Sequence, residues 1–126
     1  MSNRKAVLKA ADIYKRRGFF TPTETAAAVG VLAAQGLWSK AQIVTLTGAS
    51  STFVKKNVEK TDHTGGKFNP DSLDLILEMF DLMQAGEKNP KLTAAIVDAG
   101  TSVRMLSRLT GRPEPSIKYE LGKAND

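Results

Sequence analysis

The chain has 126 residues, a formal net charge of +5 and no cysteine. That length suits one compact domain, or two very small ones sharing a core. The lack of Cys excludes disulfide stapling, thiolate metal sites and cysteine nucleophiles, and fits a reducing compartment. No stretch approaches the ~20 apolar residues of a membrane span, and Met1 to Arg17 lacks the uninterrupted apolar core of a signal peptide, so a cytoplasmic location is expected.

Helix start signals recur along the chain and runs of alternating β-branched residues are missing, so the expected fold is all-α with about eight helices. The first helix should cover residues 3 to 17 and stop at Gly18, with Val7, Leu8, Ala11 and Tyr14 as its apolar stripe. Thr21-Pro22-Thr23-Glu24 opens the second: Thr21 caps, Pro22 suits the first helical position, and Glu24 reaches back to the cap amide. Gly36 closes it. Ser39 and Gln42 repeat the capping spacing and begin a short third helix ended by Gly48, which adopts a left-handed conformation at low steric cost. Ser50 or Ser51 then caps a fourth helix running to about Lys60.

Thr61 to Phe68, with Gly65-Gly66 inside it, reads as a linker. Asn69-Pro70-Asp71 supplies a cap, a first-position proline and a first-turn acid for a fifth helix to about Ala85. That helix is apolar on two sides, with Leu73, Ile76, Leu77 and Phe80 on one and Leu75, Met79 and Leu82 on the other. It is expected to be a central helix joining the flanking halves, and the stretch Leu73 to Leu82 is also open to use as a homodimer or regulator-partner surface. Asn89-Pro90 starts a sixth helix ending at Gly100, Ser102 a seventh ending at Gly111, and Pro113-Glu114-Pro115 an eighth. The expected organisation is residues 1–61 with the first helical unit, 62–69 as linker and 70–126 with the second, all in one body.

Charge is segregated along this order. Arg4, Lys5, Lys9, Lys15, Arg16 and Arg17 face only Asp12 within residues 1–17, whereas Asp71, Asp74, Glu78, Asp81 and Glu87 occupy residues 71–87 without a base. A basic surface gains affinity for nucleic acid by releasing counterions from phosphates. The basic first helix could clamp phosphate or simply be solvated; its narrow stripe makes it a poor membrane amphipath.

Leu-Thr-Gly occurs twice, at Leu46-Thr47-Gly48 and Leu109-Thr110-Gly111. Laying Ser39–Lys60 over Ser102–Lys123 without a gap also matches Ser39 with Ser102, Lys55 with Lys118 and Lys60 with Lys123. The apolar pairs Ile43/Leu106, Val54/Ile117 and Val58/Leu121 are kept. Each copy has the parts of a helix-turn-helix: a short helix, a glycine turn, and a second helix with one inner and one outer face.

In the first copy Ile43, Val44, Leu46, Val54 and Val58 point inward, Phe53 packs at an edge, and Ser51, Thr52, Lys55, Lys56 and Glu59 remain outside. In the second, Met105, Leu106, Leu109, Ile117 and Leu121 point inward, and Glu114, Pro115, Lys118 and Tyr119 outward. Lysine and arginine suit guanine edges or phosphates, and hydroxyls suit bases or phosphates. Ser51, Thr52, Lys55 and Lys56 are therefore candidate groove contacts. Lys40, Arg104, Arg108, Arg112 and Lys118 are candidate phosphate contacts, with Tyr119 beside them. The second copy is the poorer reader, because Glu114 repels phosphate and two prolines shorten the accessible face.

After Lys40, the segment AQIVTLTGASSTFVKKNVEK resembles the helix-turn-helix of prokaryotic transcriptional regulators, especially those of phages and mobile elements. Val103 to Leu121 resembles a divergent second copy. There is a looser similarity to the helix-turn-helix of flagellar master-regulator C subunits, whose Cys-rich zinc site has no counterpart here. The resemblance implies double-stranded DNA as the partner, with neither metal nor cofactor. An alternative is a helical interaction module that docks on RNA polymerase or another regulator.

Catalysis is not expected. His63 is the only histidine and falls in the linker, and Ser51, Asp62 and His63 have neither an orienting group nor an oxyanion hole. Thr64-Gly65-Gly66-Lys67 lacks the spacing and preceding strand of a phosphate loop. Trp38 is expected to anchor the core.

Overall fold

A computed structural model describes residues 3–59 and 66–124. Eight α-helices, and no strand among the described residues, make the fold all-α: α1 Arg4–Arg16, α2 Pro22–Gln35, α3 Lys40–Thr47, α4 Ser51–Asn57, α5 Leu73–Gln84, α6 Pro90–Asp98, α7 Val103–Thr110 and α8 Glu114–Ala124. Two short 3-10 turns, Arg17–Phe19 and Pro70–Ser72, follow α1 and precede α5. The chain divides into two compact units, Leu8–Thr64 and Met1–Val7 with Gly65–Asp126, here the α4 unit and the α8 unit.

In the α4 unit the caps fix the helix boundaries. The Thr21 hydroxyl accepts from the Glu24 amide at 3.2 Å while Glu24 Oε1 accepts from the Thr21 amide at 3.0 Å. Gly36 closes α2 at φ 69°, a conformation a side chain would strain. α3 packs on α2 and on α4, burying Leu32, Ile43, Leu46 and Val54 completely. Trp38 is buried as an anchor, its indole N–H donating to Gln35 Oε1 at 2.7 Å.

Two expectations shift here. The buried face of α1 is Val7, Ala10, Ala11 and Ile13, while Leu8 stays 47% exposed; Ile13, three residues after Ala10, turns the packed face away from Leu8. The fourth helix ends at Asn57 rather than near Lys60. There Asn57 Nδ2 donates to the Phe53 carbonyl at 2.8 Å, and β-branched Val58 leaves the helix in extended conformation with its side chain still buried.

In the α8 unit α5 packs on α6 and α7, and α8 packs on α6 and α7. Asn69 Oδ1 accepts from the Asp71 amide at 3.0 Å, but Pro70 opens a 3-10 turn and the α-helix begins at Leu73. The core side of α5 is Leu73, Ile76, Met79 and Phe80; Leu77, expected on that side, is half-buried like Leu75 and Leu82. The end of the expected linker is pinned. Ser102 N donates to the Lys67 carbonyl at 2.8 Å, Asn69 N to Thr101 Oγ1 at 3.1 Å, and the Ser72 and Thr101 hydroxyls share a buried hydrogen bond of 2.7 Å. A Cβ at Gly66 would collide with the Ser102 side chain, so a substitution there requires Ser102 to shift.

The first turn of α1 belongs to this unit. Asn3 Nδ2 donates to the Arg108 carbonyl at 3.2 Å and Arg4 pairs with Asp81 at 3.1 Å.

Candidate nucleic-acid interface

Each Leu-Thr-Gly is a three-part corner. Leu46 and Leu109 are fully buried. The next residue carries a hydroxyl that fastens the helix end to the turn: Thr47 Oγ1 donates to the Ile43 carbonyl at 2.7 Å and accepts from the Ala49 amide at 3.1 Å. Thr110 Oγ1 does the same with the Leu106 carbonyl at 2.7 Å and the Arg112 amide at 3.2 Å. Glycine then reverses the chain at φ 77° for Gly48 and 78° for Gly111. Serine hydroxyls start the helices around the first corner: Ser39 Oγ accepts from Gln42 N at 3.1 Å and Ser50 Oγ from Phe53 N at 3.1 Å. Ser102 Oγ accepts from Met105 N at 3.2 Å before the second corner.

These corners set which residues face out. On α4, Ser51, Thr52, Lys55 and Lys56 are all exposed, opposite fully buried Val54, and Phe53 is half-buried at the edge. They form one polar surface of hydroxyl donors and acceptors next to two ammonium groups. Lys40, in the first turn of α3, is half-buried. Glu59 is exposed beyond the helix end. Because α4 spans only Ser51–Asn57, its outer face is about two turns long.

The second copy presents a different surface. Lys118 is exposed on α8, and Tyr119 is 66% exposed with Lys123 Nζ 5.2 Å from its ring centroid. Arg104 is exposed on α7, whereas Arg108 is half-buried with Nη1 out of solvent contact. Arg112 departs most from expectation. Instead of lying open to phosphate, its side chain is 13% exposed and pairs with Glu120, whose side chain is 5% exposed. Glu120 Oε1 also accepts from Thr93 Oγ1 at 3.2 Å, and Arg112 Nη1 lies 3.7 Å from Met79 Sδ. Burial lowers the Arg112 pKa from its ordinary value, since desolvation disfavours the charged guanidinium.

Glu120 escaped the sequence reading, although a signal was present. Ile117, Glu120 and Leu121 share the i, i+3, i+4 spacing of one helix face, so an acid stood on an apolar stripe and called for an inward cation. In the gapless alignment Arg112 and Glu120 take the places of Ala49 and Asn57.

The basic first helix keeps part of its charge to itself. Arg4 pairs with Asp81 and Arg16 with Asp12 at 3.3 Å, and the Arg17 guanidinium lies 3.9 Å from the Tyr14 ring centroid. Lys5 and Lys9 are exposed. Lys60, Asp62, His63, Thr64 and Gly65 lie outside the described residues. Among the described residues no group of three or more His, Cys, Asp or Glu side chains could hold a metal, and no helix is long and apolar enough to cross a membrane. Comparison with known protein families, characterised proteins and solved structures gives no match.

Proposed function

We propose that this protein is a sequence-specific double-stranded DNA-binding transcriptional regulator, of the kind found in prokaryotes, phages and mobile elements, and that α4 reads the major groove. The observation that carries the reading is the division of α4: Val54 faces the core while Ser51, Thr52, Lys55 and Lys56 all face out, after a three-residue turn from a packed α3. Such a helix offers its outer face to base edges and phosphates without disturbing the core. Lys40 and the exposed bases of α1 suit flanking phosphate contacts, and Lys118 with Tyr119 a further, poorer contact.

The test is duplex binding titrated with salt. Affinity should fall steeply as salt rises; Lys55→Ala/Lys56→Ala should weaken binding and blunt discrimination between duplex sequences, and Lys40→Ala should lower the salt slope by about one. No detectable binding at low salt sinks the reading. One observation favours a rival: on one side of α5 Leu75 and Leu82, two turns apart, stay half-buried near exposed Glu78, a surface suited to docking on another regulator or polymerase. In that case Leu75→Lys would weaken capture of that partner, and no duplex binding would be detected at low salt.

A further inference from the structure

The α8 unit contains a cleft of about 260 Å3. Its walls are apolar, formed by Met79, Leu82 and Met83 of α5 and Leu92 of α6, and Thr93, Arg112 and Glu120 also line it. Leu82 and Met83 remain half-buried, so part of the α5 apolar surface is spent on this cleft and not on the core.

The polar groups select among ligands. Arg112 Nη2 is engaged by Glu120, but Nη1 lies 3.7 Å from a thioether sulfur, a weak acceptor for a charged donor. The Arg112 guanidinium, which is among the groups lining the cleft, thus has only a weak acceptor at Nη1, and an oxygen acceptor would improve its bonding. Net charge decides which acceptor. Arg112 and Glu120 neutralise each other, and the remaining charged lining residues, Glu87 and Lys88, are of opposite sign. A carboxylate ligand would bring an unbalanced charge beside Glu120, whereas an uncharged carbonyl would not. The volume lies just under the ~300–1,000 Å3 range of typical ligand sites, so the occupant is small.

We propose that this cleft binds a small uncharged carbonyl compound with an aliphatic body, its oxygen accepting from Arg112 and its chain lying against Leu82, Met83 and Leu92. The site and its test do not depend on DNA binding.

N-ethylhexanamide serves as the probe, hexanoate as its charged counterpart, and methionine-methyl NMR of the whole protein as the readout. The amide should shift the Met79 and Met83 methyl signals saturably, with a dissociation constant on the order of 1 mM for so small a ligand. Fully buried Met105 is absent from the cleft lining and should barely move. Hexanoate should bind roughly tenfold more weakly. Glu120→Gln keeps the shape and removes the negative charge, and should reverse that preference. Leu82→Trp, at a half-buried position, should fill the cleft and abolish the amide shifts. Absence of saturable shifts at Met79 and Met83 in the unaltered protein overturns the proposal, as does equal binding of both probes. An unchanged preference in a folded Glu120→Gln variant also overturns it, because Arg112 would not be the recognising group.

Discussion

The two Leu-Thr-Gly corners share a turn geometry and differ in where they send their charges. Around Gly48 the neighbouring positions are Ala49 and Asn57, and the charged groups of α4, Lys55 and Lys56, face solvent. Around Gly111 the equivalent positions are Arg112 and Glu120, which turn inward and pair. The shared geometry comes from a buried leucine, a threonine hydroxyl bridging helix end to turn, and a left-handed glycine, none of which involves the outer face. A corner of this type can therefore keep its shape while one copy presents a cationic surface and the other uses a cation for internal packing. Duplication of the corner does not imply duplication of its partner.

The largest contrast should come from the charged pair. Glu120→Ala leaves a largely buried guanidinium uncompensated and should cost about 3 kcal/mol of stability. Asn57→Ala at the exposed equivalent position gives up only an exposed hydrogen bond to the Phe53 carbonyl and should cost about 1 kcal/mol or less. Denaturant unfolding of both variants measures the difference, and equal small losses would show that Arg112 and Glu120 do not form a buried pair.

Next is the outer face. Lys55→Ala/Lys56→Ala should weaken duplex binding by about 2 kcal/mol, and Lys118→Ala should weaken it by less; a binding titration that ranks them the other way would make the second corner the reader. The shared device should respond equally in both units. Thr47→Val and Thr110→Val each leave a turn amide without its acceptor and should each cost about 1–2 kcal/mol, so unequal thermal shifts would break the equivalence of the corners.

The smallest effect concerns the helix one place earlier in each unit, α2 and α6. The Glu24 carboxyl is held below its ordinary pKa by hydrogen bonds first from the Thr21 amide and then from its hydroxyl, with a smaller attraction from Arg16. A lowered carboxylate contributes stability that is present above its unfolded pKa and lost as pH falls through the folded value. The start of α2 should thus weaken in acid, and Glu24→Gln should flatten that response in a pH series of hydrogen exchange. Asn89 caps α6 by accepting from Leu92 N at 3.2 Å and has no such titration.

What could be read from the sequence was local. Thr21 with Glu24, Ser39 with Gln42, and the glycines at 36, 48 and 111 act over three or four residues, so their spacing alone placed the helix boundaries. The inner side of α4 was legible at Val54, whereas Val58 is buried from extended backbone beyond the helix end and not as the next residue of a helical face. The phase of α1 depended on which neighbour Ile13 would find, and the end of α4 on a competition between the Asn57 side chain and the helix backbone. Arg112, in the turn between α7 and α8, was misplaced because its partners, Met79 and Glu120, come from α5 and α8. A basic residue beside a glycine turn looks the same on paper whether it meets phosphate or a buried acid.

The first turn of α1 has a consequence for the order in which the protein is made. Asn3 bonds to Arg108, 105 residues away, and Arg4 pairs with Asp81, whereas the other unit is the continuous segment Leu8–Thr64. At synthesis rates of about 5–20 residues per second, the ribosome needs roughly 3–12 s to add residues 65–126. During that interval the α4 unit can settle while Asn3 and Arg4 wait for partners not yet made. Of the two units, the α8 unit is the later to be completed, because it joins Asn3 and Arg4 to residues made after the α4 unit.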